Sequence, residues 1–167
     1  MREILFRGKR KSDGQWVHGC LVRLGKESFS DADRYGIIDI CVPLGGTTVC
    51  YNFKVNEVIP ETVGQYTGII DSDNNKLFEG DIISIPFEED RSPYEPNGVY
   101  YENALVYFDD SRHGWYVRFT DCDELSLWEY DESDVLVIGN VHDNPDLFEE
   151  KAAVYEEVCK PDDKYKS

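Results

Sequence analysis

Apolar and polar residues alternate in short runs along most of the chain, and the runs are separated by clusters of Gly, Asp, Asn, Ser and Pro. That two-residue period, with β-branched and aromatic residues concentrated in the runs, predicts strands and tight turns. "EILFRG" and "QWVHGCLVRL" flank the turn "KRKSDG" and read as a first hairpin; "YGIIDICVPL" and "TTVCYNFKV" add two strands around a loop over Pro43–Gly46. The first third is therefore a predicted meander.

The stretch from Glu61 to Ile85, "ETVGQYTGIIDSDNNKLFEGDIISI", divides into a strand over "VGQYTGII", a polar turn over "DSDNNK", and a strand over "LFEGDIISI" that contains one Gly. A Gly inside a β pattern marks a bulge or sharp bend. Gly64, Gly68, Gly80 and the "DSDNN" turn are expected to shape a hairpin. Acid, Pro and Gly collect in a surface loop from Phe87 to Gly98. "VYYENALVYFDD" and "GWYVRFTD" then flank "SRH" as another hairpin, with Trp115 and Tyr116 on opposite faces. "CDELSLWEYDESD" fits no single pattern, and "VLVIGNV" reads as a buried strand.

The period changes near the end. Asn144 as N-cap, Pro145 at the first helical position and Asp146 near the positive end of the dipole open a predicted helix. Phe148, Ala152, Tyr155 and Cys159 share one of its faces, and Pro161 stops it.

Length and composition permit a self-sufficient core. The chain has 167 residues, 41% hydrophobic and 13% aromatic, enough for one domain or two very small ones without disulfides or metals. Its net charge of -17 repels phosphate over the whole surface and disfavours direct nucleic-acid binding. The basic run Arg7, Lys9, Arg10 and Lys11 reads as a solvated hairpin loop rather than a phosphate contact. Cys20, Cys41, Cys50, Cys122 and Cys159 include no C-x-x-C pair, so reduced and mostly buried thiols are expected. No run is apolar enough for a signal peptide or a membrane span.

Candidate chemistry is sparse. Asp71, Asp73 and Asn75 start like a calcium loop, but Lys76 occupies the position that requires Gly and Ile82 the position that requires Glu. The window from Asp121 to Glu132 fails through Leu125 and Ser126. No histidine among His18, His113 and His142 stands at metal-ligand spacing from another His or a Cys. His18 and Cys20 share a strand face without any surrounding nucleophile signature. Phosphate-loop, dinucleotide, G-x-S-x-G and H-E-x-x-H motifs are absent. No catalytic residue, metal site or cofactor is assigned.

"MREILFRGKRK", "TVGQYTG" followed by "EGDII", and "VLVIGNVHDNPDLFEE" together resemble the YopX family of phage and prophage proteins. The resemblance implies a YopX-like β domain; the chain is read as that domain over residues 1–150, divisible into two small subdomains near residues 55–65, followed by a helix end and frayed tail over 151–167. It implies a mainly β fold of hairpins and barrel-like sheets in the bacterial cytoplasm, and it carries no activity. "EGDIISI" is also how a strand begins in small SH3-like barrels. The leading functional expectation is a non-enzymatic module that binds a protein partner, the chain itself being one candidate. The alternative is an acidic mimic of nucleic acid that occupies a DNA- or RNA-binding protein. Candidate partner-binding residues are Gln65, Tyr66, Asp81, Trp115, Tyr116 and Trp128.

Overall fold

The computed structural model describes residues 3–26, 32–40, 53–87, 100–120 and 123–148. The expected loop over Pro43–Gly46, the expected Phe87–Gly98 loop apart from Phe87 itself, which ends a strand, the cysteines other than Cys20, and the helix and tail beyond residue 148 lie outside them. Within them eleven strands form: β1 (Phe6–Lys9), β2 (Trp16–Lys26), β3 (Asp33–Ile40), β4 (Phe53–Val58), β5 (Gly64–Ile70), β6 (Lys76–Phe78), β7 (Asp81–Phe87), β8 (Tyr100–Asp109), β9 (Gly114–Phe119), β10 (Glu124–Ser126) and β11 (Leu136–Asn140). Single 3-10 turns lie at Pro60–Thr62, Leu127–Glu129 and Glu132–Asp134, and residues 146–148 begin a helix.

The chain divides into two compact units, Met1–Gly68 and Ile69–Ser167. Each has its own core. In the first, Val17, Ile37 and Val58 are buried, and Phe6, Leu21, Tyr35 and Val63 pack against them. The second is larger: Ile69, Leu77, Ile83, Ile85, Val106, Trp115, Val117 and Phe119 supply most of it, with Leu127 and Val135 from the turns.

The strands form two antiparallel sheets, in the orders β4-β3-β2-β1-β5-β6 and β10-β9-β8-β7-β11, and among the described residues neither closes into a barrel. This corrects the barrel expectation. β4 returns to the end of β1 only through the isolated bridge Arg10–Val58, where Ile59 N–H donates to Lys9 O at 2.9 Å and Lys11 N–H to Glu57 O at 2.9 Å. The chain then turns away: Gly14 N–H closes onto Arg10 O at 2.8 Å, and among the described residues no β1–β4 ladder forms beyond that point.

Three further differences have local causes. "LFEGDIISI" is two strands, β6 and β7, because Gly80 takes φ 81° and the Asp81 carboxylate accepts Phe78 N–H at 2.7 Å across the turn. β6 ends one sheet and β7 lies inside the other, so the turn is where the chain changes sheets. β11 is an edge strand and only half buried; Val135, just before it, is buried, while Leu136 is exposed. Cys20 is exposed, since it follows Gly19 on the outward side of β2.

The first helical turn begins after Asn144 and Pro145, as the sequence predicts, with Phe148 N–H donating to Pro145 O at 2.9 Å. Asn144 Oδ1 reaches back instead, accepting Asn140 N–H at 3.4 Å.

A candidate interaction face on the five-stranded sheet

Strand alternation builds this face from β8, β9 and β10. On β9, Trp115, Val117 and Phe119 point into the core, which leaves Tyr116 and Arg118 on the opposite face. The register sets Tyr107 of β8 opposite Tyr116, and Glu124 of β10 opposite Arg118. Cross-strand partners share a face. The β8–β9 turn completes the group: Asp109 accepts Ser111 N–H at 2.8 Å, the Ser111 hydroxyl at 2.6 Å and Arg112 N–H at 3.0 Å, and Arg112 then folds back over the sheet.

Arg112 lies over the Tyr116 ring at 3.8 Å and Arg118 over the Tyr107 ring at 4.7 Å; the two rings are 6.3 Å apart. Arg112 donates to Asp109 at 2.6 Å, to Tyr107 Oη at 2.8 Å and to Glu124 at 2.6 Å. Arg118 donates to Glu124 at 2.9 Å. Two cations and two carboxylates cancel. Such Arg–Tyr stacking with charge-assisted bonds fixes long side chains before any partner arrives.

The electrostatics argue against acid–base chemistry here. Burial favours the neutral Glu124 carboxyl, but the Tyr107 hydroxyl and the two guanidinium groups outweigh it and hold its pKa below the ordinary carboxylate range. The Ser111 hydroxyl, with the Arg112 backbone and guanidinium, holds Asp109 well below that range. Burial and Glu124 push Tyr107 up. None of these three groups is poised to transfer a proton near neutrality.

The six candidate residues separate by burial. Tyr66, Asp81 and Trp115 are buried; Gln65 and Tyr116 are half-buried; Trp128 is 64% exposed. Trp115 fills the core of the second unit and meets Phe108 edge to face at 5.0 Å, while Asp81 closes the Glu79–Gly80 turn. Tyr116 alone among them belongs to the Arg–Tyr array. Trp128 follows β10, whose Ser126 pairs with Tyr116, and the adjacent Leu127 anchors the turn in the core. Tyr107, Arg112, Arg118 and Glu124 were not singled out from the sequence.

The basic run of β1 is less solvated than expected. Arg7 is buried, and the Arg7 guanidinium and the Lys9 ammonium lie 4.7 and 5.5 Å from the Trp16 ring centroid. Among the acids of 121–134, Glu124 is tied down as described, whereas Asp131, Glu132 and Asp134 are exposed around a 3-10 turn.

The "DSDNN" segment is a self-satisfied turn. Asp71 Oδ1 accepts Asp73 N–H at 3.0 Å and Asn75 N–H at 2.7 Å; Oδ2 accepts Asn75 Nδ2 at 3.1 Å and Val137 N–H at 3.1 Å. Asn74 takes φ 66°, a conformation Asn tolerates. Four donors fill the carboxylate that a calcium ion would need. Thermal unfolding midpoints with and without chelator should therefore coincide within about 1 °C, since loss of a bound metal would lower stability by mass action; a drop of several degrees would overturn the assignment. No group of three or more His, Cys, Asp or Glu able to hold a metal occurs among the described residues, and no helix there is long and apolar enough to cross a membrane.

Fold and face together define a two-sheet antiparallel β scaffold carrying a preorganised aromatic and guanidinium surface. The chain belongs to the YopX family, whose model, described as YopX protein, matches residues 5–149. Among solved structures it is similar to the crystal structure of protein EF1440 from Enterococcus faecalis, at 19% identity and a TM-score of 0.46, over 89% of this chain and 99% of that one. No curated protein matches.

Proposed function

We propose that this YopX-family protein is a phage- or prophage-encoded accessory protein of the bacterial cytoplasm, working as a non-enzymatic module that binds a protein partner. The observation that carries the reading is the outer face of β8–β10, where Tyr107, Tyr116, Arg112 and Arg118 are locked together; Trp128, two residues after the Ser126 that pairs with Tyr116, adds an exposed aromatic ring. Tyr, Trp and Arg are the residue types in which interface energy concentrates. Charge balance within the array favours recognition by shape and stacking over long-range attraction of a basic partner.

The test is affinity capture from infected host lysate with partner identification, repeated with Trp128→Ala and Tyr116→Ala together. A hot-spot loss of about 2 kcal/mol, near 30-fold in affinity, is expected for the captured partner. Sedimentation at several concentrations covers the chain as its own partner: association should be weakened by the same changes. Capture insensitive to them, but competed by DNA and lost when Asp131, Glu132 and Asp134 are neutralised, would overturn this reading in favour of nucleic-acid mimicry.

A further inference from the structure

A second surface lies in the first unit, along the free side of β4. β4 is the edge of its sheet and pairs with β3 from Phe53 to Val58. On its other side Glu57 C=O and Ile59 N–H point outward to β1. Outward groups recur at every second residue of an antiparallel strand, so the N–H and C=O of Val55 and the N–H of Glu57 face the same way. Among the described residues these three have no hydrogen-bond partner. Val55 is also an exposed apolar side chain.

This free edge borders a cleft of about 410 Å³ walled by the Arg10–Ser12 turn and by Lys54, Val55, Asn56 and Glu57. Its charge is opposite to that of the chain. Arg10, Lys11, Lys54 and the neighbouring Arg34 give four positive charges; Asp13, paired with Arg10 at 2.7 Å, Glu57, held by Arg34 at 2.6 Å and Lys11 at 3.2 Å, and Asp39, the cross-strand partner of Lys54, give three negative ones. Hydrogen bonds from Arg34 and then Lys11 pull the Glu57 carboxyl down to about 2, so the acid stays ionised and the balance is fixed at neutral pH. A local excess of one positive charge thus sits on a chain of net charge -17. Asn56 is only 4% exposed, and its Oδ1, like Arg10 Nε, is a buried polar atom without a partner in the same wall. Unmet hydrogen-bonding groups beside a cleft are where a ligand or water is taken up.

We propose that the β4 edge accepts an acidic peptide segment in extended conformation as an added antiparallel strand. Val55 N–H and C=O pair with the segment's backbone, and Arg10, Lys11 and Lys54 receive its carboxylates. Outward carbonyl and N–H together suit a peptide, which donates and accepts along its whole length; the phosphodiester of a nucleic acid only accepts. The site is independent of the Arg–Tyr face, and its test can fail without bearing on that face.

The experiment is fluorescence anisotropy with a short labelled peptide alternating glutamate and valine, at low and moderate salt. The acidic peptide should bind, a lysine-for-glutamate version should not, and methylation of alternate backbone nitrogens on the pairing edge should abolish binding. Val55→Pro removes an outward N–H that the β3 ladder does not use and should cost at least tenfold. Lys54→Glu, an exposed change, should do the same and keeps the test alive if the proline variant fails to fold. Trp128→Ala should leave the affinity unchanged. No binding, equal binding of the backbone-methylated peptide, or displacement by inorganic phosphate or a DNA oligonucleotide at matched ionic strength would overturn the proposal.

Discussion

Asp71→Asn is expected to lower the stability of the protein by about 2–3 kcal/mol, and Asp71→Ala by more than about 4 kcal/mol. The residue is 4% exposed, and both of its oxygens are used. In the Asn variant the cheaper orientation puts the new amide nitrogen where Oδ2 was. There the Asn75 amide can flip to accept from it, and only Val137 N–H loses its acceptor. Alanine strands all four donors. For a chain of this length about 1 kcal/mol corresponds to roughly 2–4 °C, so the Asn variant should melt about 4–12 °C lower. Asp73→Asn, exposed in the same turn, should change stability by less than about 0.5 kcal/mol. Equal midpoints for the two variants would refute the assigned role.

The pH dependence has a definite sign. Burial favours the neutral Asp71 carboxyl, but the hydrogen bonds from Asn75, Val137 and Asp73 outweigh it, so the folded-state pKa lies below the ordinary 3.8. A depressed pKa contributes stability that is complete above the unfolded value and is lost as pH falls through the folded one. The gap between wild type and Asp71→Asn should therefore be level from neutrality down to about pH 5 and close only below about pH 4. A gap that closed on raising the pH would mean that burial dominates instead.

Turn chemistry was the most legible part of the sequence because it is local. The positive φ of Gly68, Gly80 and Asn74 stands where Gly and Asn mark turns and bends. Alternation placed Trp115 and Tyr116 on opposite faces correctly. It could also have placed Arg118 beside Tyr116, two residues on, and Tyr107 opposite, once the Asp109–Gly114 pairing fixed the register. What local pattern could not supply was edge status. Whether "VLVIGNV" is a central or an edge strand, whether β4 closes onto β1, and whether "EGD" joins one strand or separates two depend on which strands pair across the chain. Tyr66 and Asp81 show the same limit, since polar tips in a turn-rich segment suggest exposure until the sheets around them are known.

Gly19→Ala is expected to cost about 2–5 kcal/mol, combining about 1–2 kcal/mol of backbone strain with about 1–3 kcal/mol of overpacking. β2 pairs with β1 from Trp16 to Gly19 and with β3 from Cys20 onward, so Gly19 is where the strand changes partners. Its φ is 156°, and a Cβ there would lie 2.0 Å from Ile38 O and 2.8 Å from Ile38 C. Those are backbone atoms of the next strand. They cannot withdraw without opening the Cys20–Ile38 end of the β2–β3 ladder. Gly14→Ala is the matched control: Gly14 has φ 70° in the β1–β2 turn, with nothing within 4 Å of a Cβ, so it should show the strain alone, about 1–2 kcal/mol. Denaturant titration of both variants separates the two contributions, and amide exchange at Cys20 and Leu21 should accelerate only in Gly19→Ala. If the two variants unfold at the same denaturant concentration with the same slope, β2 and β3 move apart at no cost, and the close approach at Gly19 does not hold the sheet together.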